Sequence, residues 1–441
     1  MIRLIDIELE KWKSSQRRKP LLLRGARQVG KTYSARTLGK KFKSFLEINF
    51  EKQKDACRIF SRDLDTERIL HELAVFSGEK IIPGETLLFL DEIQECPDAV
   101  KSLRYFFEDK PELHLISAGS LIEFSVEKIG LPVGRISMLY IYPVSFFEYL
   151  ATVENEELLS ILRESSSSFY INEAFHIRLL SRLGEYIAIG GMPETLNAWI
   201  STKDLSNCVR IQNSLIDTYR QDFERYGQKH QIKYLEKIFN KIPSVVGEKF
   251  KFTKISDEYR KRELEPAMEL LEKAGLVHRI YHTHANGFPL GAEMDFEKYK
   301  VIFIDVGLSN SVFGTNAKGW ILNPLEEFVN RGSIAEAFVG QELLAYSDPN
   351  VKAQLFYWHR EARASNAEVD YVIAINDRIF PVEVKSGAAG RLRSMAYFQK
   401  EHSNSSQGIR FYSGIPAKDE NFVSYPLYSI RTALESIRTS L

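Results

Sequence analysis

The sequence predicts an α/β fold whose first third is built on a parallel β-sheet. Three observations carry that expectation. The glycine loop Gly25-Ala26-Arg27-Gln28-Val29-Gly30-Lys31-Thr32 follows an apolar run at 20–23. A second apolar run, 86–90, closes on Asp91 and Glu92. A third spans 113–120. Apolar runs alternating with helix-compatible segments form parallel sheets, which bind ligands at the carboxyl ends of their strands. The glycine loop and the acid pair both lie at such ends.

Taken in order, residues 1–19 read as a short amphipathic helix with Leu4, Ile5, Leu9 and Trp12 on one side. The first strand enters the glycine loop, and a helix over 33–41 leaves it. Glycines at both ends let successive N–H groups close on an anion without Cβ clashes. The helix adds its positive end. Lys31 can reach the β- and γ-phosphates, and the Thr32 hydroxyl can ligate Mg²⁺. All eight residues, in a strand–loop–helix context, predict binding of a nucleoside triphosphate. A strand over 44–50 and a polar, helix-biased stretch to Glu79 follow. Asp91 is a candidate for holding Mg²⁺ directly or through water, and Glu92 for polarising the attacking water. Hydrolysis, rather than binding alone, is therefore expected. Ser120 either contacts the γ-phosphate or water, or serves as a turn serine. Arg135 is either a finger or sensor for transition-state charge, or a surface arginine.

Residues 143–226 read as a helical lid, broken at 165–168 and at Gly190-Gly191-Met192-Pro193, a tight inter-helix turn. From 230 to 283, helical segments precede a strand near 276–281, the order of a winged helix. Its third helix carries Glu263, Glu265, Glu269 and Glu272, a face that would repel phosphate, so a packing or partner role is expected. The expected domains are 1–150, 151–228, 229–330 and 331–441.

In the last of these, a helix holds Glu336 and Glu342, and a strand near 354–358 follows. Residues 368–385 read as two strands around an Asn376-Asp377 turn. A two-residue loop pairs 375 with 378, hence 370 with 383 and 368 with 385. Asp370 then faces Glu383, and Lys385 shares their face. Opposed carboxylates repel unless a cation sits between them. Mg²⁺ is the candidate, with Lys385 orienting water or stabilising a pentavalent phosphate. The alternative is an exposed hairpin with a Glu368–Lys385 ion pair, and Pro381 is awkward in a central strand.

Acids and bases balance at 59 each, which argues against a protein held to nucleic acid by bulk charge. Local basic clusters at 11–19, 40–43, 260–262 and Arg391 with Arg393 remain as solvated faces or contacts. Hydrophobic content of 44% excludes a disordered chain. Cys57, Cys96 and Cys208 suggest neither a disulfide framework nor a zinc site. The first residues lack a signal-peptide apolar core, and no run is long enough to cross a bilayer. A cytoplasmic protein without membrane partners is expected.

With these residues placed, the chain resembles a family of bacterial and archaeal AAA-type ATPases that carry a poorly characterised C-terminal domain. The resemblance rests on residues 25–32, 87–92, Gly134-Arg135 followed by Pro143, Gly190-Gly191-Met192-Pro193-Glu194, Asp305-Val306-Gly307-Leu308 and 368–385. It implies a P-loop NTPase core with a helical lid, using ATP and Mg²⁺, and assembly into oligomers in many relatives. The last segment is also similar to the PD-(D/E)xK nuclease core of restriction-endonuclease-like folds. That similarity implies Asp370, Glu383 and Lys385 as metal and catalytic residues, Glu336 as an accessory metal ligand, and DNA as a partner. Val369 stands where that motif has its proline. A protein partner switched by ATP, on a nuclease fold kept as a scaffold, is the rival expectation.

Overall fold

The computed structural model describes residues 1–124, 130, 134–315, 317–362, 365–385, 387 and 392–440; Arg391 lies outside them. The chain divides into two compact units. One is Ile2–Tyr142 with Asp348–Lys352; the other is Pro143–Ser347 with Ala353–Leu441 and Met1.

The first unit contains strands β1 (Leu21–Arg24), β2 (Ser44–Asn49), β3 (Thr86–Asp91), β4 (His114–Ala118) and β5 (Ser137–Tyr140). They line up as β2-β3-β4-β1-β5, and every pairing is parallel. All residues of β3 and β4 are buried, the pattern of strands covered on both faces, which is why both read as unbroken apolar runs. Leu22, Ile48, Leu88, Leu90, Leu103 and Phe106 share one core cluster. β5 had no sequence signal: three half-buried residues and the buried Leu139 acquire strand geometry from pairing with β1, Leu21 opposite Ser137.

The cysteine expectation is corrected. Cys57 and Cys96 form a disulfide, and Cys208 is free and buried. Cys57 opens the helix Cys57–Ser61 and Cys96 immediately precedes the helix Pro97–Asp109. Those two helices pack together, a proximity that spacing along the chain cannot reveal.

The second unit opens with helices Phe146–Val153, Glu156–Ser168, Glu173–Ile189, Pro193–Thr202 and Leu205–Tyr226. The serine run expected to break this region instead completes a helix. Ser165 and Ser166 are buried and return their hydroxyls to the Leu162 carbonyl, the usual escape for a serine inside a helix. Gly190 does end its helix, with φ +77°. The Gly191 N–H donates to Asp305 Oδ2 at 2.6 Å, while Asp305 Oδ1 caps the helix Val306–Phe313 through the Leu308 N–H at 2.9 Å. A Cβ on Gly307 would meet the Gly190 backbone. Two motifs more than a hundred residues apart are thus one packing knot.

Helices Ile232–Lys241, Phe252–Ile255 and Lys261–Lys273 precede strands β6 (Val277–Thr283) and β7 (Met294–Phe303). Two of the four glutamates on the third helix serve packing: Glu265 and Glu272 flank Arg279 of β6 at 3.2 and 3.3 Å. Strands β8 (Leu355–Ala362), β9 (Ser365–Ile375), β10 (Arg378–Lys385), β11 (Gly408–Tyr412), β12 (Ala417–Lys418) and β13 (Phe422–Pro426) follow. The sheet order is β12-β13-β11-β10-β9-β8-β6-β7. Where the sequence suggests a boundary near 330, the sheet is continuous, because β6 pairs in parallel with β8.

The β9–β10 hairpin has the expected register, from Arg378 opposite Ile375 to Val382 opposite Tyr371. Asn376 and Asp377 have φ of 46° and 62°, as a two-residue turn of this hand requires. Pro381 is tolerated in this inner strand for a geometric reason. Hydrogen-bonded pairs alternate from 375/378, so Pro381 falls at a position with no ladder bond to β9, and β11 begins pairing only at Val382.

Candidate functional site

The glycine loop sits between buried β1 and the helix Lys31–Gly39. Gly25 (φ +145°) and Gly30 (φ +103°) occupy conformations open to glycine, and a Cβ on Gly25 would strike the Ile141 carbonyl oxygen. Gln28 adopts φ +70° without that freedom. A non-glycine residue held there costs on the order of 1–3 kcal/mol, a strain that clusters at ligand sites. Ala26 and Val29 are buried and pack the loop, whereas Arg27 is half-buried and Gln28 exposed. One clamp escaped the sequence reading. Arg3 is buried, donating to the carbonyls of Val29 at 3.0 Å and Tyr142 at 2.8 Å. Nothing in the sequence marks this arginine, because its partners are backbone atoms distant along the chain.

Lys31 is buried, and among the described residues its ammonium donates to neutral loop carbonyls, Gly25 at 2.9 Å and Ala26 at 2.7 Å. Burial pushes its pKa down to about 8 against the pull of Glu92 and Asp91. An ammonium so placed gains from an arriving phosphate oxygen. The Thr32 hydroxyl lies 3.2 Å from Asp91 Oδ2, and the Asn49 amide donates to the same oxygen at 3.1 Å. Burial, then Glu92, pushes the Asp91 carboxyl above its ordinary value. A hydroxyl and a carboxylate this close are hard oxygen donors of the kind Mg²⁺ takes, so the residues fit that ion.

Glu92 ends β3 in the left-handed region, φ +51°. Its carboxylate accepts from a set of donors separate from those at Asp91. Gln94 Nε2 donates at 2.7 Å and Ser120 Oγ at 3.1 Å, both to Oε2. Gly119 leaves the room that Gln94 needs. Ser120 therefore reaches Glu92; the sequence left its role open and missed Gln94. Arg135 forms an exposed ion pair with Glu108, which also takes Arg104 at 3.1 Å.

In the second unit, the four residues expected to form a nuclease-like site do converge, around a residue the sequence reading passed over. Lys300 of β7 is fully buried. Its ammonium lies 2.9 Å from Glu336, 2.6 Å from Glu368 and 3.8 Å from Asp370. Glu336 lies on the helix Gly332–Ala345; Glu368 and Asp370 lie on β9. Lys385 pairs with Glu383 at 2.7 Å, and Asp370 Oδ2 accepts from the Val384 N–H at 2.7 Å. The alternative Glu368–Lys385 pairing is replaced by Glu368–Lys300. Burial pushes the carboxyls of Glu336, Asp370 and Glu383 upward. It also works against the Lys300 ammonium, but the surrounding carboxylates outweigh it and hold that pKa above the ordinary lysine value. A lone lysine in the apolar run 299–303 was the available signal, the same kind that marked Asp370. Glu342 is separate: its carboxylate accepts from the Phe146 N–H at 3.0 Å and from the Tyr346 hydroxyl.

Among the described residues, no three His, Cys, Asp or Glu side chains are arranged to hold a metal ion, and an ammonium already occupies the middle of the acids.

Residues 17–150 match a family model described as an AAA domain. Residues 180–319 and 331–428 match two models described as domains of unknown function (DUF8612 and DUF4143). No curated protein matches the chain. Among solved structures, the chain is similar to the Walker-type ATPase PABY2304 of Pyrococcus abyssi at 16% identity, covering 70% of this chain and 96% of that one, TM-score 0.44. It is also similar to RuvB of Thermotoga maritima at 14% identity, covering 62% and 88%, TM-score 0.25. A Drosophila ORC structure bound to DNA matches at 13% identity, covering 70% and 84%, TM-score 0.23. The parallel sheet, its glycine loop and the family match together make residues 17–150 an AAA-type, P-loop ATPase-like domain.

Proposed function

We propose that the chain is a Mg²⁺-dependent ATPase whose turnover switches the conformation of its C-terminal segments for a protein partner. The observation that carries the first half is the division of labour at the end of β3. Asp91 faces the Thr32 hydroxyl, where the pair would hold Mg²⁺, while Glu92 is held apart by Gln94 and Ser120. Bound Mg²⁺ would supply charge neutralisation on the phosphates. The residues do the rest. Loop N–H groups and Lys31 orient the triphosphate, and Glu92 takes up proton density from the attacking water. Glu92→Gln is expected to retain ATP while slowing hydrolysis by about 10²–10⁴-fold. Unchanged hydrolysis in that variant would remove Glu92 from this role. Arg135 keeps its candidacy as a finger; equal turnover in Arg135→Ala would retire it.

The switch reading is favoured over ATP-driven DNA cleavage by Lys300, whose ammonium lies 2.9 Å from Glu336 and 3.8 Å from Asp370, two of the acids a nuclease would use to hold metal. Incubating DNA with Mg²⁺ or Mn²⁺ separates the two. The switch reading expects no cuts that depend on Asp370, and cleavage lost in Asp370→Ala would reinstate the nuclease. The helical segment ahead of β6 keeps the element order of a winged helix, and strongly salt-sensitive DNA binding would argue for that use.

A further inference from the structure

We propose that Lys300 is the resident cation of the Glu336–Glu368–Asp370 cluster, filling by protein chemistry the place of a divalent ion. The inference deepens the switch reading of the C-terminal segments and is independent of ATP turnover. The ammonium is fully buried and lies close to carboxylates from two other elements of the fold. Burying an unpaired ammonium is expensive, so these carboxylates are what permit it, and the acids are reciprocally stabilised by it. A second lysine joins the cluster: Lys385 takes Glu383, the acid facing Asp370. The remaining Asp370 oxygen is held by the Val384 N–H.

The space the ammonium takes then excludes a metal. Mg²⁺ needs several oxygens converging at about 2.0–2.1 Å, and here those oxygens converge on nitrogen. A divalent ion entering beside the ammonium would meet a like charge in a poorly screened interior. The same contacts give Lys300 a structural task, since it ties β7 to the helix Gly332–Ala345 and to β9.

The test counts Mn²⁺ bound per chain by equilibrium dialysis, on the full chain without nucleotide. Wild type and Asp370→Asn are expected to bind the same number of ions, because Asp370 holds none. Loss of an ion in Asp370→Asn overturns the proposal. Lys300→Met removes the charge but keeps most of the stem, and is expected to gain one ion that Lys300→Met with Asp370→Asn lacks. A folded Lys300→Met chain with no gain also overturns it. Should Lys300→Met fail to fold, the first comparison still decides. ATP turnover in wild type, measured separately, reports on the ATPase reading alone.

Discussion

Both units bury a lysine beside acids, yet the two sites are opposites. Lys31 spends its hydrogen bonds on neutral carbonyls of its own loop, within the pull of Asp91 and Glu92 but bonded to neither. Lys300 sits directly among carboxylates. Among the described residues, the first site bonds its ammonium to no carboxylate, on a loop strained at Gln28. The second holds its ammonium groups in direct contact with acids. The contrast teaches that a lysine-and-acid constellation is not by itself a reactive centre; what its nitrogen touches decides whether a ligand has anything to gain by entering.

The largest effect that tests this contrast is at Lys31. Lys31→Ala is expected to lower ATP turnover by about 10²–10³-fold, the scale of losing one preorganised charge-stabilising donor, as a phosphate-release assay would read. Turnover within a few-fold of wild type would erase the difference between the sites. A smaller effect is expected at Ser120, a positioning residue for Glu92. Ser120→Ala should keep ATP affinity while kcat falls about tenfold, as expected for losing one hydrogen bond to a charged group. A matched rise in KM with unchanged kcat would instead place Ser120 on the nucleotide.

A third effect, read as stability rather than turnover, concerns proton uptake in the second unit. Burial pushes the Glu342 carboxyl from 4.5 to about 8. The folded chain therefore holds a proton that the unfolded chain releases, so this group's contribution to stability falls as pH rises through that window. Lys31 works in the other direction. Its folded value, about 8 against 10.5, means the unfolded chain binds the extra proton and stability rises with pH across that interval. Melting curves at both ends of the lower window should show a smaller pH difference in Glu342→Gln than in wild type. An unchanged difference would mean that Glu342 is ionised in its pocket.

Much of the first site was legible in sequence because local geometry and chemistry coincide there. A strand, a glycine loop and a helix are contiguous, and the acids of the next inner strand stand at its end. The β9–β10 hairpin was equally readable, since Asn376-Asp377 sets the turn and the turn sets the register. What escaped depended on chain-distant partners. Arg3 bonds backbone carbonyls of Val29 and Tyr142; Cys57 meets Cys96 only through helix packing; β5 exists only against β1. Lys300 escaped because one lysine in an apolar run acquires meaning only when Glu336 and Glu368 arrive from elsewhere. The serine run misled because its hydroxyls found acceptors within their own helix.

Calorimetric titration of the full chain with ATP in the presence of Mg²⁺ tests the central claim most directly. One ATP per chain is expected for wild type, with binding lost or severely weakened in Lys31→Ala. No heat of binding in wild type, or equal affinity in the variant, would contradict the assignment of residues 25–32 as the triphosphate cradle.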